Sequence, residues 1–148
     1  LYCGVGTIGL SMADKCKQLI GVEIIEDAIE NARGNAERNQ IRNAQFLCAD
    51  AKKATQELRK QKIKPDVVFL DPPRKGCDIE VIDDIAKMAP DRIVMISCNP
   101  STAARDCRLF EERGYQVIRY RAVDMFPRTG HVETVILMTQ RDIKQKNN

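Results

Sequence analysis

The chain has 148 residues, of which 43% are hydrophobic and 30% charged, and its net charge at neutral pH is +3. These values are typical of a soluble globular protein of one domain, and so small a charge does not by itself indicate a nucleic-acid partner. No apolar stretch approaches the roughly 18 residues that span a bilayer. No signal peptide is visible either, so we expect a cytoplasmic monomer without a membrane partner.

The six cysteines show no C-x-x-C pair and no regular spacing. In a reducing cytoplasm this pattern indicates reduced thiols, and it predicts no metal site within this sequence. The chain begins with Leu1, which already lies inside a motif, so we expect a piece of a longer protein.

Short apolar runs alternate with longer amphipathic stretches along most of the chain. The runs are rich in β-branched residues and predict strands buried on both faces of a parallel sheet, at residues 19–23, 44–48, 67–70 and 93–97. The stretches between them predict helices at residues 26–39, 51–61, 79–88 and 102–113. The first of these helices has an apolar stripe of Ile29, Ala32 and Ala36. This alternation predicts right-handed βαβ units, and therefore a Rossmann-like α/β fold whose mostly parallel sheet has helices on both faces.

The last part of the chain has a different pattern. Residues 115–124 and 132–140 are strand-like, and only a turn-rich segment at 126–130 separates them. We therefore expect an antiparallel hairpin that closes the sheet. The whole pattern predicts one domain over residues 1–140, followed by a polar, frayed tail at 141–148.

The first ten residues, LYCGVGTIGL, carry three glycines in a G-x-G-x-x-G frame. Such glycines allow a tight turn and a close approach of the backbone to a ligand before a helix begins. The apolar residues Leu10, Met12 and Ala13 fit the continuation of that helix.

Two carboxylates follow the next two predicted strands. Glu23 ends the run at 19–23, where it can accept both ribose hydroxyls of an adenine nucleoside. Asp50 follows the run at 44–48, where it either accepts the adenine amine or caps the next helix. Together with the glycine motif, these features fit either a nicotinamide dinucleotide or S-adenosylmethionine.

The run at 67–70 leads into the loop Asp71-Pro72-Pro73-Arg74-Lys75-Gly76. The two prolines prevent a helix immediately after the strand, so Asp71 is held at the rim of the sheet. Arg74 and Lys75 then present a positive pair to whatever docks there, although a plain turn with solvated charges has the same sequence. Dinucleotide dehydrogenases have no clear need for this loop, which favours a methyl donor.

The run at 93–97 leads into Cys98-Asn99-Pro100. Pro100 biases the preceding residue away from helical backbone, so Cys98 lies on a constrained turn at a strand tip. Ser101 or Thr102 can cap the following helix, whose N-terminus lowers the pKa of a nearby thiol. Cys98 is therefore a candidate nucleophile, with a buried structural cysteine as the alternative.

The segment GHVETV at 130–135 opens the last predicted strand. Glu133 lies beside the apolar residues of this strand, where it is either an exposed residue of an alternating pattern or a buried base. His131 is the single histidine of the sequence. We interpret it as a hydrogen-bonded structural residue.

Five motifs occur together and in a fixed order: LYCGVGT, GVE, DPPRKG, SCNPST and GHVETV. The set closely resembles the S-adenosylmethionine-dependent RNA uracil-5 methyltransferases, which act on 23S ribosomal RNA and on the T-loop of transfer RNA. The resemblance covers the chain to about residue 140 and implies a class I methyltransferase fold with the donor over the glycine loop. By motif match, it places the donor against Tyr2, Gly4, Thr7, Glu23, Asp50 and Asp71.

The resemblance also implies Cys98 as the nucleophile and Glu133 as the proton-abstracting base. The organic chemistry agrees with these roles, because carbon 5 of uracil is a poor nucleophile until a thiolate adds to carbon 6. A base must then remove the carbon-5 proton so that elimination releases the cysteine. The chemistry therefore needs one cysteine, one base and a methyl donor in a single pocket.

An RNA base reaches such a pocket only from a single strand or after it is flipped from its stack. The candidate phosphate contacts, each of which also fits a solvated surface charge, are Arg74, Lys75, Arg119, Arg121 and Arg128. The residues of motifs such as GHVETV are more similar to the ribosomal branch of the family, so we favour ribosomal over transfer RNA.

Parts of the family pattern are absent from this sequence. An acidic residue that ends the family's first strand would lie just before Leu1, so most of that strand is missing. The upstream half of the family carries RNA-binding parts, a glutamine near the active site and, in some members, a 4Fe–4S cluster, whose ligands the six cysteines here do not resemble. We therefore expect weak donor binding and no activity from this chain alone.

Other functions fit parts of the pattern. A nicotinamide-dependent oxidoreductase would use the glycine motif and Glu23. A cysteine hydrolase would use Cys98 and His131. An inactive RNA-binding or scaffold domain would keep the fold without the chemistry.

Overall fold

The computed structural model of the chain describes residues 1–125, 127–129 and 132–141. Its contacts divide between two compact units, Leu1–Ala54 and Thr55–Asn148, called here the first unit and the second unit. Within the described ranges, every helix is too short or too polar to cross a bilayer.

The first unit contains a pair of parallel strands. Its elements, in chain order, are α1 (Thr7–Leu10), a 3₁₀ turn (Ala13–Lys15), β1 (Leu19–Glu23), α2 (Glu26–Arg38) and β2 (Ala44–Cys48). The ladder between β1 and β2 runs from the pair Leu19 and Ala44 to the pair Glu23 and Cys48. Because the strands are parallel, their carboxyl ends lie at the same edge.

The helix after the glycine motif is shorter than predicted. α1 ends at Leu10, and the Met12 N–H donates to Gly9 O at 3.1 Å, which is the i→i−3 spacing of a 3₁₀ turn. The Ser11 hydroxyl donates to Ile8 O at 2.8 Å, a local bond that competes with the helical ladder. The predicted continuation of this helix is therefore wrong.

The predicted apolar stripe of α2 is confirmed. Ile29, Ala32 and Ala36 are buried and pack with Phe46 of β2 in one hydrophobic cluster. Gly21 of β1 makes room for the aromatic ring, since a Cβ at this position would lie 2.5 Å from Phe46 Cδ1.

β2 differs from the prediction of a strand buried on both faces. Phe46 is its buried residue, whereas Gln45, Leu47 and Cys48 are exposed. In the described part of the chain, β2 pairs with β1 alone, so it lies at an edge where side chains reach solvent. The prediction is wrong for this strand.

The second unit contains a mixed sheet. Along the chain, α3 (Ala51–Lys60) leads into β3 (Val67–Leu70), α4 (Ile79–Met88), β4 (Arg92–Ser97), α5 (Pro100–Glu111), β5 (Tyr115–Val123) and β6 (Glu133–Gln140). The strand order is β3-β4-β6-β5. β3 and β4 are parallel, and β6 is antiparallel to both β4 and β5. The predicted antiparallel hairpin is confirmed, and its second strand lies between β4 and β5.

The core of the second unit lies between this sheet and its helices. β4 alternates along its length, with Ile93 and Met95 fully buried and the intervening residues partly exposed. Phe110 of α5 meets Tyr115 of β5 edge to face, with ring centroids 5.9 Å apart. The Tyr115 hydroxyl donates to Pro90 O at 2.9 Å, which satisfies the polar end of a buried ring.

Candidate active site

The glycine loop of the first unit is tied to the carboxylate of Glu23. The Cys3 N–H donates to Val22 O at 3.0 Å, so the chain runs beside β1 before it turns. Gly4 then adopts φ +51°, a left-handed backbone that favours glycine. Its N–H donates to Glu23 Oε2 at 3.0 Å. The end of β1 and the first turn of the loop are therefore held together by one side chain.

The other oxygen of Glu23 organises the entrance to α2. Glu23 Oε1 accepts the N–H of Ile24 at 2.8 Å and the N–H of Ile25 at 3.2 Å. Ile25 occupies the N-cap position of α2, where its hydrocarbon side chain cannot accept a hydrogen bond. Glu23 thus fixes the two residues that lead into α2, ahead of its first helical residue.

The surroundings of this carboxylate fit a nucleoside. No described atom outside the immediate chain neighbours lies within 4 Å of a Cβ built on Gly4, so the loop leaves open space there. Ile24 and Ile25 are 60% and 55% exposed, which gives an apolar surface beside a hydrogen-bond acceptor. These two residues were not predicted from the sequence. The signal was an Ile-Ile pair at a helix start, where a polar cap is usual.

Asp50 acts as a helix cap, which is one of the two roles predicted for it. Its Oδ1 accepts the N–H of Lys52 at 3.0 Å and the N–H of Lys53 at 3.3 Å, in the first turn of α3. Its role toward adenine stays a prediction. Of the other predicted donor residues in this unit, Tyr2 has a left-handed φ of 59° and Thr7 is exposed at the start of α1.

The β4–β6 register places Cys98 and Glu133 at the same end of this strand pair. The last pair of the ladder joins Ser97 of β4 and Thr134 of β6. Cys98 directly follows Ser97 and lies in a bend beyond the strand, and Glu133 directly precedes Thr134. The two residues therefore lie at one edge of the sheet, each next to the last pair of the ladder.

Asp71 lies at the same edge. β3 ends at Leu70, which pairs with Met95 of the parallel strand β4, and Asp71 follows immediately. Asp71 is exposed at the surface, and desolvation by the neighbouring atoms still raises the pKa of its carboxyl above the ordinary aspartate value. The structure therefore gathers three of the sequence-predicted residues, Asp71, Cys98 and Glu133, at one rim of the second unit.

Cys98 is half-buried on a turn that Ser97 and Asn99 close. The Asn99 N–H lies 3.2 Å from Ser97 Oγ, and that hydroxyl lies 3.2 Å from Asn99 O. Asn99 Oδ1 accepts the N–H groups of Ser101 at 3.1 Å and Thr102 at 3.5 Å. The predicted capping by Ser101 or Thr102 is therefore wrong, because α5 begins one residue after Asn99, which is its cap.

The remaining cysteines differ from Cys98 in their surroundings. Cys77 and Cys107 are buried, and burial raises the pKa of the Cys107 thiol to about 11. Burial also raises the pKa of the Cys3 thiol beside the glycine loop. Cys16 and Cys48 are exposed, Cys16 directly after the 3₁₀ turn and Cys48 as the last residue of β2.

Glu133 is the first residue of β6 and is half-buried. Its burial is therefore intermediate between the two predicted alternatives, an exposed residue and a buried base. It pairs with Val123 of β5, and the next residue, Thr134, pairs with both Ala122 of β5 and Ser97 of β4. His131 lies outside the described residues, as do most of the predicted tail and part of the predicted turn at 126–130.

The predicted RNA contacts are all on the surface of the second unit. Lys75 donates to Asp78 Oδ1 at 3.2 Å, in an ion pair with 69% and 49% exposed side chains. The other predicted contacts are also exposed: Arg74, Arg119, Arg121 and Arg128. Within the described ranges, no group of three or more His, Cys, Asp or Glu side chains is arranged to hold a metal ion.

Residues 1–141 match the family model of the tRNA (uracil-5-)-methyltransferases. An uncharacterized RNA methyltransferase of Clostridium tetani is 48% identical over 145 residues, which are 98% of this chain and 32% of that protein. One from Staphylococcus aureus is 52% identical over 136 residues, which are 92% of this chain and 30% of that protein. The chain thus spans about a third of the length of the curated relatives it matches.

A solved structure has the same fold. The Pyrococcus abyssi tRNA (uracil-54, C5)-methyltransferase, in complex with S-adenosyl-L-homocysteine, is 36% identical with a TM-score of 0.81. The match covers 93% of this chain and 33% of that one. An rRNA methylase of Streptococcus thermophilus, 11% identical over 93% of this chain and 82% of its own, has a TM-score of 0.72. The Rossmann-like methyltransferase fold predicted from the sequence is confirmed.

Proposed function

The chain belongs to the tRNA (uracil-5-)-methyltransferase family, and on that premise we propose that it is the catalytic part of an enzyme that methylates carbon 5 of a uridine in RNA. Cys98 is the nucleophile and Glu133 is the base. The single observation that supports this assignment most strongly is the β4–β6 register, whose last pair, Ser97 and Thr134, directly adjoins both residues.

The chemistry proceeds in three steps at one uracil ring. The Cys98 thiolate adds to carbon 6, and the electron pair of the carbon 5–carbon 6 double bond becomes an enolate. Carbon 5 then takes the methyl group and becomes tetrahedral, with a hydrogen and a methyl. Glu133 removes that hydrogen as a proton, the double bond forms again, and the carbon–sulfur bond breaks to return the thiolate.

The donor is S-adenosylmethionine, whose sulfonium supplies an electrophilic methyl group. The S-adenosyl-L-homocysteine complex of the P. abyssi relative supports this choice over a nicotinamide dinucleotide. Glu23 accepts the ribose hydroxyls, the open side of Gly4 admits the ligand, and Ile24 offers an apolar surface to the base. Tyr2, Thr7, Asp50 and Asp71 are assigned to the donor on their motifs.

We propose 23S ribosomal RNA as the substrate, because the residues of the GHVETV motif are more similar to the ribosomal branch of the family. A T-loop uridine of transfer RNA is the second candidate, favoured by the name of the matching family and by the P. abyssi relative. In either RNA the uridine enters the site from a single strand or a flipped state. Arg74, Lys75 and Arg128 contact the backbone phosphates.

The full-length protein that carries this sequence provides the test. We expect 5-methyluridine in RNA from the parent strain and unmodified uridine at the same position in a deletion strain, and mapping that position in ribosomal and transfer RNA identifies the substrate. Cys98→Ala abolishes methylation, while Cys16→Ala, an exposed cysteine away from the strand tip, leaves it unchanged. Retained methylation in Cys98→Ala refutes the proposed nucleophile.

The base has a test of its own. Glu133→Gln permits addition and methyl transfer but blocks elimination, so we expect a covalent protein–RNA species to accumulate on gels under denaturing conditions. Methylation by Glu133→Gln at the normal rate refutes its role as the base.

A further inference from the structure

Backbone groups of the loop after β3 bind two side chains in the middle of α5. Arg105 Nη2 donates to Lys75 O at 2.9 Å and to Cys77 O at 3.2 Å. The Cys77 N–H donates to Asp106 Oδ2 at 2.7 Å. Two consecutive residues of α5 therefore bind three backbone groups in the segment 75–77.

Arg105 and Asp106 also bind each other. Arg105 Nε and Nη2 donate to Asp106 Oδ1 at 2.9 and 2.6 Å. Asp106 is 0% exposed, and a buried carboxylate is stable only with partners of this kind. The arginine fork thus joins the loop and the buried carboxylate, while 51% of its own side chain stays exposed.

Gly76 is a glycine because of this contact. A Cβ at this position would lie 2.5 Å from Asp106 Oδ2 and would also collide with Arg105 Nη2. Its φ of +81° lies in the left-handed region that other residues adopt at a cost. The loop sequence is therefore adapted to the arginine–aspartate pair on α5.

A second attachment joins the same loop to the turn of Cys98. Asn99 Nδ2 donates to Arg74 O at 3.3 Å, and the Thr102 hydroxyl lies 3.1 Å from the same carbonyl and 3.1 Å from Asn99 O. Asn99 directly follows Cys98 and caps α5. The backbone that carries Arg74 and Lys75 is thereby held to the turn that carries the thiol.

We infer that Arg105 is a positioning residue, which with Thr102 holds the segment 74–77 so that Arg74 and Lys75 receive the RNA backbone at a set place beside Cys98. This inference rests on the proposed function for its catalytic consequence. A loosened loop moves the two cations and so weakens RNA binding. β1 and the glycine loop, which carry Glu23, make none of these described contacts.

Arg105→Lys and Thr102→Val test the inference in the full-length protein, with Arg108→Lys as the matched control. Lysine keeps a charge beside Asp106 but lacks the planar guanidinium, which binds Asp106 through Nε and Nη2 while Nη2 also reaches the carbonyls of Lys75 and Cys77. Valine removes the hydroxyl that binds Arg74 O. Arg108 lies one turn further along α5, 82% exposed, and pairs with Glu112.

We expect Arg105→Lys and Thr102→Val to change the KM for RNA and to leave binding of the methyl-donor product unchanged. We expect the KM for RNA to rise about tenfold in Arg105→Lys, since misplacement by about 1 Å can cost up to about a hundredfold. Thr102→Val changes it in the same direction by about threefold, the effect of a lost hydrogen bond of under 1 kcal/mol. The Kd of S-adenosylhomocysteine stays at the wild-type value in all three variants. The positioning role is refuted if the KM for RNA and the Kd of S-adenosylhomocysteine rise by the same factor. It is also refuted if the KM for RNA of Arg105→Lys equals that of Arg108→Lys.

Amide hydrogen exchange at Cys77 separates this inference from the proposed function, because it needs no RNA. We expect faster exchange of the Cys77 N–H in Arg105→Lys than in Arg108→Lys. If the wild type methylates no uridine and this difference is still seen, the proposed function fails and the attachment of the loop stands. If the wild type methylates and the exchange rates are equal, the inference alone is refuted.

Discussion

Glu23→Gln removes the charge from the side chain that joins the glycine loop, the end of β1 and the start of α2. In the wild type this carboxylate accepts three backbone N–H groups, from Gly4, Ile24 and Ile25. The glutamine side chain has nearly the same shape, so the strand and the helix remain folded. Its amide, however, has one accepting and one donating end.

The magnitude follows from this geometry. If the amide oxygen keeps the two bonds from Ile24 and Ile25, the amide nitrogen faces the Gly4 N–H, and two donors meet. One hydrogen bond to a charged acceptor is lost, which costs about 1.5–3 kcal/mol. That loss lowers the stability of the free and the bound protein alike. The Kd changes through the proposed bonds to the ribose hydroxyls, in which the charged acceptor is also replaced, at about 1.5–3 kcal/mol for one such bond. We therefore expect the Kd of S-adenosylhomocysteine to rise roughly 10- to 150-fold.

Isothermal titration calorimetry with S-adenosylhomocysteine measures this change in the full-length protein. The matched control is Glu30→Gln, an exposed position on α2, which should bind with the wild-type Kd. A Kd for Glu23→Gln within about twofold of wild type, a difference under 0.5 kcal/mol, would refute the role of Glu23 in donor binding.

Two further substitutions test the physical account of the fold and the rim. Desolvation raises the pKa of Asp71, so its protonation adds stability at low pH that is lost as the pH rises through its titration range. Asp71→Asn should therefore increase the free energy of unfolding at neutral pH, and urea titrations should show the gain disappear below about pH 3.9; a gain independent of pH argues against the desolvation effect. Gly21→Ala should destabilise by about 1–3 kcal/mol through overpacking against Phe46. On α2, a Cβ at Gly34 would make only ordinary contacts, so Gly34→Ala should stabilise the protein by up to about 1 kcal/mol. Thermal unfolding of both variants measures the difference, and equal changes in Gly21→Ala and Gly34→Ala contradict the packing argument.

Local patterns predicted much of the fold. The strands at 44–48 and 67–70 and the helix at 79–88 lie at the predicted residues, because each is a short periodic run bounded by polar or turn-forming residues. The start of α5 was missed by two residues, since Asn99, Ser101 and Thr102 are all good caps. Pro100 at the first helical position decides between them, and the residue before such a proline is the usual cap.

The candidate site was predictable in its residue types but not in its connections. Cys98 and Glu133 were identified from motifs, yet their place at one end of the same strand pair depends on β6 lying beside β4. Such a register cannot be read from a sequence whose pattern predicts only that the last two strands form a hairpin. The contacts of Arg105 with residues 75 and 77 join segments about thirty positions apart, and no local pattern predicts them.

The central claim is that Cys98 attacks carbon 6 of a uridine in RNA. The most direct measurement uses RNA with 5-fluorouridine at the target position. Fluorine takes the place of the carbon-5 hydrogen, so the base has no proton to remove and elimination stops. We expect the full-length protein and S-adenosylmethionine to form an adduct that resists denaturation, with mass spectrometry of its peptides placing the nucleotide on Cys98. Attachment to another cysteine, or a methylating enzyme that forms no adduct, would contradict the account.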